Sequence, residues 1–467
     1  MSPSPSLQRL SDDDRRRRAE RAQDLVAVLA NQEVVAVATS FVDNSGISRV
    51  KSVPLDRLPQ LAAWGVGFST AFDYFRFDDW VAGPTSGTGP VGDQRILPDL
   101  SRVVVLSAQP GWAWAPGERW SQDGTGYEHD SRLLLRRHVT ALAERGLEVK
   151  TALEIEWVIS DRADDAFVPG VGGSAYGLSR WVDASTYSRD VLTALGDQGV
   201  VVEQYHPEYA PGQFELSVAA ESPVEAADTS VLVRTTIRAV GARHGYRTSF
   251  SPKVDTAGVG NGGHVHLSLW RDGANLMAGG GGPFGLTGEG EAFAAGILGH
   301  LPGLLAVGAP GVASYLRLVP QHWAGAYAAW GLENRETALR MVTGSTGSSE
   351  WAANLEVKCV DLQANPYLLL AGLVATGAAG LDAKATLPEP VDVDPAVLGD
   401  DVLAERGIAR LPADLPAALA AFAADGVLRD AFGDALVGSI TAVRESEIQL
   451  FAGASPEDVA DAVRWAH

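Results

Sequence analysis

Cysteine is almost absent from this chain, which has one, Cys359, among 467 residues. One cysteine forms no intramolecular disulfide and builds no thiolate metal cluster within the chain. Long apolar runs are also missing, since no segment of the sequence approaches the roughly eighteen apolar residues of a membrane span. The first 24 residues have neither an apolar core nor a small-residue cleavage site, which argues against a secretory signal. These absences predict a cytoplasmic protein with no membrane partner.

Basic residues are in deficit. The 37 lysines and arginines stand against 58 aspartates and glutamates, which gives a formal net charge of −21. This charge argues against nucleic acid and anionic membranes as partners, although solubility is the simpler explanation for it. With 467 residues and 46% hydrophobic content, the chain is expected to form one small and one large domain.

The small domain is expected to span residues 12–110. Residues 11–31 predict an amphipathic helix with Ser11 as its N-cap. Strand-like runs at 34–41 and 50–53 flank Asp43-Asn44-Ser45-Gly46, a turn typical of a β-hairpin, and residues 102–107 predict a further strand. Strands and helices then alternate to about residue 380, before an alanine-rich helical tail. The large domain is therefore expected to span 111–467.

Four segments of the predicted large domain alternate polar and apolar residues with the period of a strand. They are Glu154-Ile155-Glu156-Trp157, Gln213-Phe214-Glu215-Leu216, His264-Val265-His266-Leu267-Ser268-Leu269 and Asn354-Leu355-Glu356-Val357-Lys358-Cys359. One such segment alone is most often a half-exposed strand with its polar face in water. Together, however, the polar faces hold mostly glutamate and histidine, which are metal-ligand and acid–base residues. We expect these faces to converge on one site.

The residue types in these segments favour a hard cation. Oxygen ligands with one or two imidazoles and no thiolate suit Mg²⁺ or Mn²⁺, with zinc as the alternative. So many carboxylates in one cavity would repel each other unless cations neutralised them. Basic residues follow at Arg317, Arg335, Arg340 and Lys358. Guanidinium groups suit phosphate and carboxylate oxygens, although structural ion pairs would explain each residue singly. Cations together with arginines predict phosphoryl transfer.

Taken in order, these motifs resemble the glutamine synthetase family, of the class I type. The matching segments are Glu154-x-Glu156, Glu208-x-x-Pro211-Gly212-Gln213-x-Glu215, Gly262-x-His264-x-His266-x-Ser268, Ser314-Tyr315-x-Arg317-Leu318, Asn334-Arg335 with Arg340, and Glu356 followed by Ala364-Asn365-Pro366-Tyr367. The resemblance implies an α+β fold with a small N-terminal β-grasp domain and a large catalytic α/β domain built on a curved antiparallel sheet. It also implies a homo-oligomer, most often a dodecameric ring, with active sites between subunits.

The resemblance implies roles for individual residues as well. Two or more cations, Mg²⁺ or Mn²⁺, would be held by two sets of ligands: Glu156, Glu208 and Glu215 in one, and Glu154, His264 and Glu356 in the other. ATP would be bound by Glu203, His266, Ser268, Arg335 and Arg340. Glutamate would be bound by Gly260, Arg317 and Lys358, the last standing where the family usually has arginine. The catalytic residues would be the basic side chains of Arg317, Arg335, Arg340 and Lys358.

The expected amine site departs from the ammonia-using members of the family. Trp323 stands where they carry a glutamate, and Ser69 is the best equivalent of their ammonium-binding aspartate, with Asp73 as a displaced alternative. Ammonium needs carboxylates to bind it, whereas a hydroxyl and an indole leave a largely apolar surface. The sequence thus resembles the γ-glutamyl-amine and γ-glutamyl-polyamine ligases. A monoamine or an aromatic amine is slightly favoured, because a dication would need an acid nearby.

The predicted reaction activates the side-chain carboxylate of glutamate as γ-glutamyl phosphate and transfers it to the amine, with ATP as co-substrate. Two other functions stay open, a true glutamine synthetase that uses ammonium and a non-catalytic nucleotide-binding member of the family. The group that takes the proton of the amine is also open among His322, Asp73 and an amine that arrives neutral.

Overall fold

A computed structural model describes residues 9–83, 91–161 and 165–467 of the chain. Within these residues the strands form two sheets. The strands are β1 (Ala36–Val42), β2 (Ser48–Pro54), β3 (Val66–Ser69), β4 (Asp93–Pro98), β5 (Val104–Val105), β6 (Trp112–Ser121), β7 (Glu148–Asp161), β8 (Val202–Pro207), β9 (Gln213–Val218), β10 (Tyr246–Ser249), β11 (Val265–Arg271), β12 (Ala274–Asn275), β13 (Tyr327–Leu332), β14 (Thr337–Val342), β15 (Asn354–Val357) and β16 (Ala409–Arg410). The helices are α1 (Asp12–Ala30), α2 (Leu58–Trp64), α3 (Ser131–Ala143), α4 (Leu178–Asp183), α5 (Ser185–Asp197), α6 (Pro223–Arg243), α7 (Gly288–Gly308), α8 (Ser314–Arg317), α9 (Ser349–Ala352), α10 (Pro366–Ala383), α11 (Asp400–Glu405), α12 (Leu415–Ala424), α13 (Gly426–Leu450) and α14 (Pro456–Val463).

The predicted N-terminal helix and hairpin are both present. Helix α1 begins after Ser11, whose hydroxyl accepts a hydrogen bond from the backbone N–H of Asp14 while the Asp14 carboxylate accepts one in return. Strands β1 and β2 pair antiparallel on either side of the predicted turn. The carboxylate of Asp43 closes this turn by accepting hydrogen bonds from the N–H groups of Ser45 and Ile47. Local capping and turn chemistry were therefore sufficient to predict this part of the fold.

The smaller sheet is N-terminal and has the strand order β2-β1-β6-β4-β3, with β5 paired to β6. Strand β6 begins at Trp112, just beyond the boundary at residue 110 that the sequence indicated, and carries the sheet to Ser121. Of the predicted strand at 102–107, only β5 forms. One pairing partner of β6, the parallel strand β1, is distant in sequence, so composition near residue 110 gives no signal for that pairing.

The larger sheet has the order β16-β13-β14-β15-β11-β7-β9-β8. The four alternating segments of the sequence supply β7, β9, β11 and β15, which are neighbours in this sheet. Their apolar faces pack on the core and their polar faces share the opposite side. This architecture confirms the predicted α+β class with a curved, largely antiparallel sheet.

Helices α7 and α10 pack against each other in the core. At their crossing a Cβ on Gly296 would lie 2.7 Å from Gly380 Cα, so the close approach requires glycine. By length and composition both helices could cross a membrane, but 78% and 72% of their apolar windows are buried inside the fold. The statement from sequence that no segment approaches a membrane span is therefore corrected, and burial in the core accounts for the composition of both helices.

Candidate active site

The polar faces of the four alternating strands line a cavity of about 730 Å³. Among the described residues, its acidic side chains are Glu154, Glu156, Glu208, Glu215 and Glu356. Its basic side chains, with the same restriction, are Lys253, Arg317, Arg335, Arg340 and Lys358. Gly260, His266 and Trp323 line it too. The structure thus brings together most of the side chains that the sequence assigned to one site.

The first ligand group consists of Glu154, His264 and Glu356. One ligand atom from each residue lies within 4.8 Å of the other two. His264 Nδ1 is 2.8 Å from Glu154 Oε2 and 3.4 Å from Glu356 Oε1. The residues come from or adjoin the neighbouring strands β7, β11 and β15, so strand pairing alone gathers them. This is one of the two ligand sets that the family resemblance implied.

Charge in the first ligand group is fixed by its neighbours. Burial opposes the ionisation of Glu356, but Lys358, with its Nζ 3.1 Å away, and the adjacent histidines lower the pKa of Glu356 to about 2. Burial also opposes ionisation of Glu154, yet hydrogen bonds with His264 and His266 keep its pKa well below the usual value. Burial and the charge of Lys358 lower the pKa of His264 to about 4. Two carboxylates and a neutral imidazole result, which is a donor set for a divalent cation.

The second ligand group consists of His206, Glu208 and Glu215, whose ligand atoms also lie within 4.8 Å of one another. His206 Nε2 is 3.4 Å from Glu215 Oε1, and this interaction raises the pKa of His206. Sequence reasoning missed His206, although it lies near the end of β8, two residues before Glu208, a spacing that matches the alternation of the other ligands. The period-two signal that found the rest would have found it.

Glu156 is the residue that the family resemblance grouped with Glu208 and Glu215 as ligands of one cation, and it lies directly opposite Glu215 across β7 and β9. Its Oε2 accepts hydrogen bonds from the N–H of Gly262 at 2.8 Å and from Gln213 Nε2 at 3.0 Å. Burial and the charge of Glu215 raise the pKa of Glu156 to about 8. A nearby metal cation would lower the pKa of Glu156 again, because positive charge favours the ionised form of both carboxylates.

Arg317 is nearly buried beside the first ligand group. Its Nη2 donates to the carbonyl oxygen of Lys358 at 3.0 Å and lies 3.3 Å from His264 Nε2. Its Nη1 is buried and has no hydrogen-bond partner among the described residues. A Cβ at Gly262 would lie 2.9 Å from Arg317 Nη2, so glycine leaves the guanidinium its room. An unpaired buried donor is costly, and a substrate carboxylate is the partner that would satisfy it.

Arg340 and Arg335 differ in how firmly they are held. Arg340 Nη1 lies 2.9 Å from Glu356 Oε2, which ties this arginine to the first ligand group. Arg335 is exposed in the turn between β13 and β14. Both side chains line the cavity. One is therefore pre-positioned, while the other is free to meet a ligand at the edge.

Three residues with expected roles do not line the cavity. Glu203 is exposed at an irregularity in the pairing of β8 with β9. Ser268 is buried on β11, where its Oγ accepts a hydrogen bond from Trp270 Nε1 at 2.8 Å. Ser69 ends β3 in the N-terminal sheet, where its Oγ accepts a hydrogen bond from the N–H of Ala71 at 3.2 Å. Strand register and domain position, which the motifs do not encode, decide these placements.

Trp323 lies on a loop, residues 320–325, whose backbone is strained. Its φ is +53° and that of Gln321 is +63°, values that are uncommon outside glycine. The carboxylate of Glu336 holds the loop by accepting hydrogen bonds from the N–H groups of Gln321 at 3.2 Å and Trp323 at 3.0 Å. The indole meets the ring of Tyr209 edge to face, with centroids 5.7 Å apart. No sequence pattern pointed to Glu336, because it acts through two hydrogen bonds to the backbone of the loop.

Comparison with known proteins bears on what this cavity does. Residues 128–460 match the family model for the glutamine synthetase catalytic domain. Gamma-glutamylpolyamine synthetase GlnA3 of Streptomyces coelicolor is 54% identical to this chain, over 96% of both chains. A glutamine synthetase of Methanocaldococcus jannaschii is 30% identical, over 91% of this chain and 94% of its own.

Solved structures agree with these relatives. A structure described as a novel glutamine synthase homolog has a TM-score of 0.84 at 33% identity and covers 93% of this chain and 99% of that one. A GmaS/ADP complex has a TM-score of 0.82 at 26% identity, over 92% and 97% of the two chains. The resemblance seen in the sequence and the ligase class that it implied are both confirmed. We conclude that the chain belongs to the glutamine synthetase family of glutamate–amine ligases.

Proposed function

We propose that this protein joins glutamate to a polyamine through γ-glutamyl phosphate, with ATP as the phosphoryl donor. The observation that carries the proposal is one cavity in which two carboxylate–imidazole groups adjoin Arg317, whose Nη1 has no partner among the described residues. The ligand groups suit cations that bind phosphate, and the arginine suits a substrate carboxylate. Phosphoryl transfer to a carboxylate needs both.

The donor sets fit Mg²⁺ or Mn²⁺. Each ligand group offers two carboxylates and one imidazole, and Glu156 adds a buried carboxylate opposite the second group. Oxygen-rich sets of this kind suit hard cations. The raised pKa of Glu156 is the sign of uncompensated negative charge that a cation would relieve. When bound, the cations would neutralise charge on the transferred phosphoryl group.

The basic residues would orient the substrates. Arg317 would bind the α-carboxylate of glutamate beside Gly260, while Lys358 keeps Glu356 ionised from 3.1 Å away. Arg335 and Arg340 would bind the phosphates of ATP, for which guanidinium groups are suited. His266 would contact the nucleotide. The expected ATP contacts of Glu203 and Ser268 stay predictions, since neither residue lines the cavity.

The amine is proposed to be larger than ammonia. Trp323 and Tyr209 offer an aromatic surface that attracts alkylammonium groups. The Glu336 carboxylate accepts a hydrogen bond from the Trp323 backbone nitrogen at 3.0 Å, so an acidic group lies close to this surface although it does not line the cavity itself. The slight preference for a monoamine rested on the apparent lack of such an acid. The name of the 54% identical relative also favours a polyamine, so a monoamine is the second candidate.

We also propose that copies of this chain form a ring, of dodecameric size as the family resemblance implies. Ser69 belongs to the N-terminal sheet and does not line the cavity of its own chain. If Ser69 serves the amine site, it must come from a neighbouring copy. Light scattering on the purified protein would measure the size of the assembly. We propose a cytoplasmic location as well.

The direct test is ADP release by the purified protein with Mg²⁺, ATP and glutamate, in the presence of ammonium, monoamines, aromatic amines or polyamines. Mass spectrometry of the products identifies any γ-glutamyl amide. Turnover with polyamines and little with ammonium is the expected result. Turnover chiefly with ammonium would make the protein a true glutamine synthetase, and ATP binding without turnover of any amine would indicate a non-catalytic member.

A further inference from the structure

The loop that carries Trp323 also carries His322, and both side chains line the cavity. An alkylamine in neutral solution is protonated, and only its neutral form has the lone pair that attacks an acyl phosphate. A proton acceptor is therefore required where the ammonia-using relatives have a carboxylate and this chain has Trp323. We propose that His322 is that acceptor, an inference that rests on the function proposed above.

The hydrogen bonding of His322 determines which ring nitrogen is available. Nδ1 lies 3.0 Å from the carbonyl oxygen of Pro320. Because a carbonyl oxygen only accepts hydrogen bonds, Nδ1 carries the hydrogen and donates it. The lone pair of the neutral ring is therefore on Nε2. No hydrogen bond or ion pair from a residue within the described ranges reaches Nε2, so this atom is free to take a proton.

The backbone around His322 is held in an unfavourable conformation. Its two neighbours, Gln321 and Trp323, both have left-handed φ angles, which are unfavourable for a residue with a side chain. Glu336 stabilises this conformation by accepting the N–H groups of both neighbours. The imidazole and the indole are thus carried on one held loop and line the same cavity, which is the placement that the proposal needs.

The other candidate acceptors are already engaged. Asp73 is buried in the N-terminal sheet region, where Arg119 Nη1 and the hydroxyl of Tyr127 each lie 2.5 Å from one of its oxygens. Both oxygens of Glu336 accept backbone hydrogen bonds from the loop. The remaining carboxylates of the cavity belong to the ligand groups or adjoin them. Of the imidazoles and carboxylates described in this cavity, His322 keeps an uncommitted lone pair outside the ligand groups.

The proposed step transfers one proton before the bond forms. Nε2 of His322 takes a proton from R–NH₃⁺, which leaves R–NH₂ and an imidazolium. The nitrogen lone pair then forms the C–N bond at the carbonyl carbon of γ-glutamyl phosphate, and the C–O bond to phosphate breaks with its electron pair on the leaving phosphate. The second proton of the nitrogen leaves with inorganic phosphate, and the imidazolium returns its proton to solvent. Atoms and charges balance without a further reactant.

The test uses His322→Asn in the full-length protein. Asparagine carries an amide N–H near the position of Nδ1 and can still donate to the Pro320 carbonyl, but it cannot take a proton. The rates compared are kcat/KM for putrescine and for hydroxylamine, which is uncharged in neutral solution and gives a γ-glutamyl hydroxamate. We expect kcat/KM for putrescine to fall by about 10²- to 10⁴-fold, the usual contribution of a general base. The rate with hydroxylamine should stay within a few-fold of the wild-type rate.

A second measurement is single-turnover ADP formation from ATP and glutamate, which precedes amine attack and should be unchanged in the variant. The matched control is Gln321→Asn, a neighbour whose replacement tolerates the left-handed backbone; both reactions should persist in it. Equal losses with putrescine and hydroxylamine, or no loss with either, would overturn the assignment of His322. A wild-type protein that makes no γ-glutamyl product with any amine would instead overturn the proposed function itself.

Discussion

Trp323 and Tyr209 meet edge to face at the cavity, with ring centroids 5.7 Å apart and ring planes at 80°. The two residues come from distant parts of the sequence, one before β9 and the other before β13. About half of each side chain is exposed, so an incoming ligand can reach both rings. This aromatic pair is the feature of the cavity that most directly bears on which amine the enzyme accepts.

Replacement of Trp323 by alanine should weaken amine binding. Cation–π contacts contribute about 0.5–2 kcal/mol, so we expect KM for the polyamine to rise by roughly two- to thirty-fold. Single-turnover ADP formation should not change, because the indole is proposed to bind the amine and neither ATP nor glutamate. Trp351→Ala is the control, since that side chain is 72% exposed and lies outside the cavity. An unchanged KM for the amine would show that the pair does not bind it.

Arg317→Met should weaken glutamate binding selectively. The methionine keeps part of the side-chain volume but removes the buried charge and its unpaired Nη1. Charge-assisted hydrogen bonds contribute about 1.5–3 kcal/mol, which predicts a rise in KM for glutamate of roughly ten- to a hundred-fold. ATP binding, measured by calorimetry, should be retained. Arg271→Met, which breaks a surface ion pair with Glu289, controls for the loss of a positive charge. Equal losses of ATP and glutamate binding in Arg317→Met would contradict the assignment of Arg317 to glutamate.

Each ligand group should bind its own divalent cation. Glu154→Gln removes a carboxylate from the first group and Glu215→Gln removes one from the second. We expect each variant to lose one Mn²⁺ site in a calorimetric or paramagnetic-resonance titration and most of its activity, because an amide is a weaker ligand for a hard cation. Chelation of metal should abolish wild-type activity until Mg²⁺ returns. Glu289→Gln is the control. If either variant kept all its Mn²⁺ sites, the ligand group that it alters would not be a cation site.

Glu447 should make the stability of the fold depend on pH. It is buried, its Oε1 accepts a hydrogen bond from the N–H of Val312 at 2.8 Å, and burial raises its pKa to about 7. The folded protein therefore holds this proton more tightly than the unfolded chain does. Stability must fall as pH rises from the ordinary carboxyl pKa of about 4.3 to about 7, and then level off.

Glu447→Gln removes the buried charge but keeps an acceptor for Val312. We expect the variant to be more stable than wild type at pH about 8.5, by up to roughly 3 kcal/mol, and equal to it near pH 4.5. Urea denaturation at the two pH values gives the comparison. Glu445→Gln, an exposed neighbour on α13, should show no such difference. A variant that is less stable at high pH would show that Glu447 acts through a charge interaction instead.

Much of the candidate site followed from local pattern. Strand alternation places Glu154 and Glu156 on one face and His264 and His266 on one face wherever the strands lie, because successive side chains point to opposite sides. The same rule would have included His206, which shares a face with Glu208. The ligand types then indicated a hard cation without any knowledge of the fold.

Other features depended on long-range geometry. The role of Glu336 depends on two hydrogen bonds to a loop that precedes it. The contact of Tyr209 with Trp323 joins two loops, one before β9 and one before β13. Neither has a periodic signal. The choice between His322 and Asp73 was equally invisible, because it turns on Asp73 being buried against Arg119 and Tyr127.

The sequence by itself determined the strand faces, the capping of α1, the first hairpin and the identity of most cavity side chains, since these follow from chain periodicity and from hydrogen bonds between near neighbours. Only the tertiary structure decided which faces meet, that Arg317 keeps an unpaired buried donor, that Ser268 and Ser69 lie away from the cavity, and that the loop of His322 is held by Glu336. Those outcomes depend on sheet register and on contacts between residues far apart in the chain. The free energy of these arrangements comes from burial and from charge interactions in the assembled core, and no short segment of the sequence contains either.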